Sequence, residues 1–268
     1  MLLGMLCMAQ AKDRIVERPP FLAQNSSSIE IDKIVMSDTV TTVYIKAFYR
    51  PKYWIKIATG SVLKDNNGIL YPIRKGIGIT LDKEFWMPES GEAEFQLTFP
   101  PIPQNVTRLD FSEGDFEGAY KIWGIQLDKK SFGKFKLPKD VIVPKADHKM
   151  TLPDPIVKYD KAILKGRILD YQKGMPDKGS LYYQDVIRGG AQEGKIRIQD
   201  DGTFYHEMNV FMITPCTIMF PFGTIEYLLA PGETTSIVIN LRENARKQSH
   251  LRQAEKPYGK EVYYGGYL

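Results

Sequence analysis

The stretch from Lys195 to Phe222 limits what this chain can fold into more than any other part of it. It reads as a strand, a tight turn at Asp200-Asp201-Gly202, a second strand, a turn at Thr214-Pro215 and a third strand. Asp-Gly between β-formers marks a hairpin, because glycine takes the positive φ that short hairpin turns require. Thr203, Phe204 and Tyr205 restart β-structure directly after the turn, with Phe204 placed to anchor a core. Such a segment belongs in a β-sandwich.

The remaining chain repeats the pattern. Thr41 to Phe48 alternates, with Val43, Ile45 and Ala47 on one face. Glu92 to Phe99 does the same, with Ala93, Phe95, Leu97 and Phe99 opposed to Glu92, Glu94, Gln96 and Thr98. Asp65-Asn66-Asn67-Gly68 supplies a turn, and Pro100, Pro101 and Pro103 stop the strand before them. Short strands at regular spacing over residues 12–127 predict an immunoglobulin-like β-sandwich. Lysine and proline then dominate residues 128–160, where no period survives, so this segment reads as a linker. Residues 161–241 read as a second β-sandwich, and Ile196 to Tyr205, with Ala162 to Leu169 before it and Leu228 to Thr235 after it, resembles the prealbumin-like, carboxypeptidase-regulatory kind. A polar, partly helix-compatible tail follows over 242–268, ending in aromatic residues without an evident packing partner and reading as the start of a further helical segment. The fold class is all-β.

Met1 to Ala11 is a short apolar run closing on Ala9-Gln10-Ala11, the small-residue pattern of a signal-peptidase site, followed by Lys12-Asp13-Arg14. The expectation is export to the periplasm or cell surface, from a leader that lacks its usual basic start. A buried first strand or helix is the alternative. The run is too short to span a bilayer. Of the two cysteines, Cys7 lies in this leader, so the mature chain keeps Cys216 alone and closes no internal disulfide.

Chemistry finds few footholds. Net charge is +4 without a dense basic block, which argues against nucleic acid as a partner. No C-x-x-C, Cys/His cluster, calcium loop or phosphate-cradling glycine loop occurs, so no metal or cofactor is expected. His206 and Cys216 are the only residues suited to a nucleophile–base pair, and nothing supplies a third, orienting group. His206 and Glu207 are adjacent in a strand and therefore point to opposite faces. His148 falls in the linker and reads as solvated. Cys216 reads as a small buried hydrophobe. The chain is expected not to be an enzyme. Trp54, Trp86 and Trp123 all fall in the first domain. Each sits in a strand-like run beside apolar residues, which favours packing; the functional alternative is an aromatic platform for sugar or peptide.

Two blocks resemble the N-terminal region of exported TlpA-type, thioredoxin-like thiol-disulfide reductases. One is Gly78 to Phe95 together with Lys121 to Leu127, and the other is the second-domain pattern ending in Tyr227 to Glu233. The resemblance implies export, two sandwiches and an accessory or substrate-presenting role. The family's thioredoxin domain and its C-x-x-C are absent, so no residue here inherits redox activity. It also implies that Asp38-Thr39-Val40 fits a bacterial O-glycosylation site at Thr39. An unmodified intact mass for protein isolated from its native cell would remove that expectation.

Three readings follow. The first is a non-catalytic exported accessory or binding region associated with a thioredoxin-like system. The second is a fragment of a full-length disulfide reductase whose catalytic domain lies downstream. The third is a carbohydrate-binding module resting on the tryptophans. The expected partner is a protein or a glycan.

Overall fold

The computed structural model describes residues 13–128, 132, 135–139, 157–185, 187 and 189–265. The predicted leader and most of the predicted linker, His148 included, lie outside the described residues. The chain divides into two compact units, one formed by Met1–Pro20 and Ser26–Gly133, the other by Phe21–Asn25 and Lys134–Leu268. Both are built from β-sheets, as the alternation predicts.

The first unit opens with β1 (Arg14–Glu17), while β2 (Ala23–Gln24) groups with the second unit. Its main strands are β3 (Ile29–Met36), β4 (Thr41–Phe48), β5 (Trp54–Ile55), β6 (Val62–Asp65), β7 (Leu70–Pro72) and β8 (Lys75–Ile77). Then come β9 (Phe85–Trp86), β10 (Glu92–Phe99), β11 (Arg108–Ser112) and β12 (Lys121–Gln126). One sheet has the order β1-β3-β4-β10-β8, and a second carries β12-β11-β6-β7. The alternation in β4 places Val43, Ile45 and Ala47 in the core, and β10 meets it in register, with Phe95 opposite Ile45 and Leu97 opposite Val43. The predicted turn after β6 is capped by its own aspartate. Asp65 Oδ1 accepts from the backbone N–H of Asn67 at 2.8 Å and of Ile69 at 2.9 Å, and Gly68 takes φ +85°.

The second unit contains β13 (Asp160–Leu169), β14 (Lys178–Gln184), β15 (Ala191–Arg197), β16 (Thr203–Val210), β17 (Thr214–Phe220), β18 (Gly223–Leu229) and β19 (Thr234–Asn240). A short helix, α1 (Leu241–Gln248), and β20 (Val262–Gly265) complete it. The strands form two sheets, β16-β13-β19-β20 and β15-β14-β17-β18. β13 runs antiparallel to β16 and parallel to β19.

The Asp-Gly turn forms, but not as the end of a hairpin. Gly202 takes φ +82° and donates to Gln199 O at 2.9 Å, while Asp201 Oδ1 accepts from Thr203 N. The flanking strands then part: β15 pairs with β14 and β16 with β13, leaving a single bridge between Ile198 and Phe204. Ile196, Ile198 and Phe204 are all buried, so the chain turns a corner around the core and enters the opposite sheet. The second expected turn also shifts. Thr214 and Pro215 lie inside β17, and the break falls earlier, at Phe211–Ile213. Pro215 is tolerated because it sits beyond the last pair with β14, Tyr183 opposite Cys216, where no ladder bond is asked of it on that side.

The aromatic tail finds the partner that its sequence did not suggest. β20 pairs antiparallel with β19, and Tyr263 is buried. Asn240 organises this return. Its Oδ1 caps α1 by accepting from Glu243 N, and its Nδ2 donates to Tyr258 O at 3.0 Å and Lys260 O at 3.1 Å. Glu243, buried, binds Arg246 through both carboxylate oxygens and accepts from Tyr258 N at 2.8 Å. A buried pair satisfied on this many sides escapes the penalty of an isolated charge.

The core of this unit depends on a glycine. Gly166 on β13 stands opposite Phe204, and a Cβ at Gly166 would lie 1.8 Å from the Phe204 ring. Gly166→Ala is therefore expected to destabilise the unit by about 1–3 kcal/mol, the usual range for overpacking. Combining it with Phe204→Leu should cost less than the two single changes added together, because they share one space. Denaturant unfolding of the four variants measures the coupling, and strict additivity would refute it.

Candidate functional site: a tryptophan ribbon

β5 and β9 form a separate two-stranded ribbon in the first unit, with Trp54 opposite Trp86 and Ile55 opposite Phe85. Side chains alternate across a strand, so each pair shares one face. Ile55 is buried, and Phe85 meets Phe95 of β10 with ring centroids 6.1 Å apart. The opposite face carries both indoles into solvent, Trp54 at 44% exposure and Trp86 at 60%. Directly opposed residues of an antiparallel pair have Cβ atoms about 4.5–5.5 Å apart, so the two indoles leave neighbouring positions on one face of the ribbon.

The backbone around them is well anchored. Met87 N donates to Tyr53 O at 2.8 Å, Lys52 N to Met87 O at 3.2 Å, and Tyr49 N to Gly91 O at 2.9 Å. Met87 is buried, and Lys52 takes φ +63°, a conformation that side-chain-bearing residues seldom adopt. Gly91 has φ +71°, and a Cβ there would approach Tyr49 O to 2.8 Å. Next to the ribbon, Tyr49 and Tyr53 make an edge-to-face pair at 6.3 Å, and the Arg50 guanidinium lies 5.7 Å from the Tyr53 ring centroid. Lys52 and Glu89 pair at 3.1 Å, but both are exposed and the pair contributes little to stability. The site is thus an aromatic surface, rimmed by tyrosine and ionic groups, on a braced support.

Two of the three tryptophans meet on this surface, against the packing that their apolar neighbours suggest. The third does not. Trp123 lies in β12 of another sheet with 9% exposure, so it is a core residue and no part of a platform. What the sequence hid was the pairing: strands of two residues carry no period, and only the cross-strand register brings Trp54 to Trp86. Thr39 is exposed in the turn between β3 and β4, beside exposed Asp38, and its carbonyl accepts from Arg74 Nη1 at 3.1 Å.

The residues considered for catalysis are held in other roles. His206 is half-buried, and burial pushes its imidazole below the ordinary value, with the nearby Glu207 opposing. Glu207 faces outward, accepting from Lys161 Nζ at 3.0 Å and Tyr205 OH at 2.8 Å. Cys216 is 3% exposed; burial pushes its thiol up to about 12, and its Sγ lies 3.5 Å from Thr214 O. Among the described residues no group of three or more His, Cys, Asp or Glu side chains could hold a metal ion. Among the same residues no helix is long and apolar enough to cross a membrane.

No family model matches the chain, and no curated protein matches it. Solved structures that it resembles include pullulanase type I from Bacillus subtilis str. 168 complexed with maltose, at 9% identity and a TM-score of 0.28 over 75% of this chain and 24% of that one. Pullulanase from Anoxybacillus sp. LM18-11 complexed with maltotriose gives 11% identity and a TM-score of 0.27, over 70% and 24% of the two chains. Pullulanase from Bacillus acidopullulyticus gives 9% and 0.24, over 78% and 34%. This chain therefore spans about a quarter to a third of their length. Likeness at these TM-scores assigns neither a topology nor a ligand.

A buried, fully protonated thiol is a poor nucleophile. In a Cys7→Ser variant at pH 8, Cys216 should resist Ellman's reagent in the native chain and react with one equivalent after denaturation. Prompt reaction of the native chain would show that the thiol is accessible.

Proposed function

We propose that this chain is a non-catalytic, exported β-sandwich binding region whose ligand surface is the Trp54/Trp86 ribbon and whose ligand is a glycan. One observation carries the reading: two exposed tryptophans occupy directly paired positions on a short ribbon whose other pair is Ile55 and Phe85. A single exposed apolar side chain is ordinary, but two of the largest side chains exposed at directly paired positions are not. Flat aromatic faces suit the C–H face of a pyranose, and the surrounding tyrosine hydroxyls, Lys52 and Glu89 can meet its hydroxyl edge. Tryptophan offers this contact area at low entropic cost, which is why it dominates binding hot spots.

The resemblance to TlpA-type reductases supports an accessory role for this region beside a thioredoxin-fold partner. The burial of Cys216 fits that division, since a thiol held out of solvent is not placed for exchange.

The test is a tryptophan-fluorescence titration against a panel of soluble oligo- and polysaccharides. At least one glycan should shift the emission saturably. Trp54→Ala and Trp86→Ala should each weaken binding at least about tenfold, or about 1.4 kcal/mol, while Trp123→Phe leaves it unchanged. A panel that leaves the emission unmoved would refute the ribbon as a glycan site.

A further inference from the structure

The second unit holds an opening of its own. At one end of its sandwich, the last residues of β14 and β16 and the first of β17 border a cleft of about 460 Å³. That volume falls within the range of about 300–1,000 Å³ typical of small-molecule sites. One wall is aromatic: Tyr159 and Phe211 lie with ring centroids 4.5 Å apart at 37°. Next to them, Lys158 N donates to Phe211 O at 2.9 Å, just beyond the Asp160–Val210 pair of the β13–β16 ladder. Asn209 Nδ2 donates to the Tyr159 hydroxyl at 3.0 Å, which helps to orient the ring. Around this wall stand Gln184, Asp185 and Met208. Asp185 Oδ1 shapes the neighbouring loop by accepting from Ile187 N at 2.9 Å.

The lining selects a class of ligand. A purely apolar molecule would cover the Gln184 amide, and the Asn209 carbonyl beside its Tyr159-bound nitrogen, without offering either a hydrogen bond. Among the described residues the lining carries one carboxylate, Asp185, and no lysine or arginine. The nearest lysines in sequence are held by carboxylates of their own, Lys158 by Asp160 and Lys161 by Glu207. What fits is a neutral molecule with one apolar face and a rim of hydroxyls.

We propose that this cleft is a second binding site, for a neutral saccharide ring that stacks on Tyr159 and hydrogen-bonds to the Gln184 and Asn209 amides. It shares a ligand class with the ribbon but no residue, so each site stands or falls separately. The cleft is lined by no tryptophan and does contain Met208, which allows separate readouts.

The experiment uses the full chain labelled with ¹³C-methyl methionine, the Met208 signal being assigned through Met208→Leu. It is titrated with maltohexaose, cellohexaose, xylohexaose and mannohexaose, with choline chloride as a cationic control. At least one hexasaccharide should move the Met208 signal saturably. Tyr159→Ala should weaken that response at least about tenfold, and Tyr159→Phe, which keeps the ring, by less. Trp86→Ala should leave it unchanged, while tryptophan fluorescence reports on the ribbon independently. Tyr159 is exposed, so its truncation should leave the dispersion of the other methyl signals intact. The proposal is overturned if no hexasaccharide moves Met208, if choline alone does, or if the response survives Tyr159→Ala.

Discussion

In the second unit, the ring of Phe204 occupies the space that any side chain on Gly166 would need. The same ring lies 5.6 Å from Phe220 of the facing sheet, and Phe220 stacks on Phe222 at 5.2 Å. Gly179 repeats the device, since a Cβ there would come within 2.7 Å of the Phe220 ring. Aromatic side chains thus fill slots left by glycines, and through them the two sheets are joined. The corner at Gly202 follows from this arrangement. A flat hairpin would have kept β16 in the sheet of β15, and Phe204 would have lost its place over Gly166.

The first unit reaches the same end by regular means, with alternating β4 and β10 paired in register and their apolar faces turned inward. Against that background the ribbon of β5 and β9 stands apart. It buries Ile55 and turns Phe85 toward Phe95, then leaves two indoles in water. Burial of one face provides the stability that lets the other remain exposed. The cleft in the second unit follows a related logic, with aromatic and amide groups held at the ends of strands whose middles are committed to the core. In both places the candidate binding groups sit on rigid elements, which limits the ordering cost of binding.

Much of this fold was legible in the residues. Val43, Ile45 and Ala47 announced their inward face, Asp65 to Gly68 their turn, and Phe204 its role as an anchor. Each depends on neighbours in sequence, through a period of two or the conformational freedom of glycine. The expected hairpin failed because a turn motif sets the chain's reversal and not the strand it next pairs with. The helix at the start of the tail agrees with its composition, but the packing of its aromatic end was not legible for a similar reason: the partners of Asn240, at Tyr258 and Lys260, lie a loop away.

The sequence by itself determined the all-β class, the inward faces of the longer strands and the burial of Cys216, because these follow from local periodicity and side-chain solubility. The tertiary structure alone decided that Trp54 meets Trp86 while Trp123 is buried, that β16 crosses to the opposite sheet, and that Tyr159 and Phe211 share a wall. Each of those outcomes joins residues distant in the chain, and pairing across a sheet is set by packing of the whole unit and not by any segment within it.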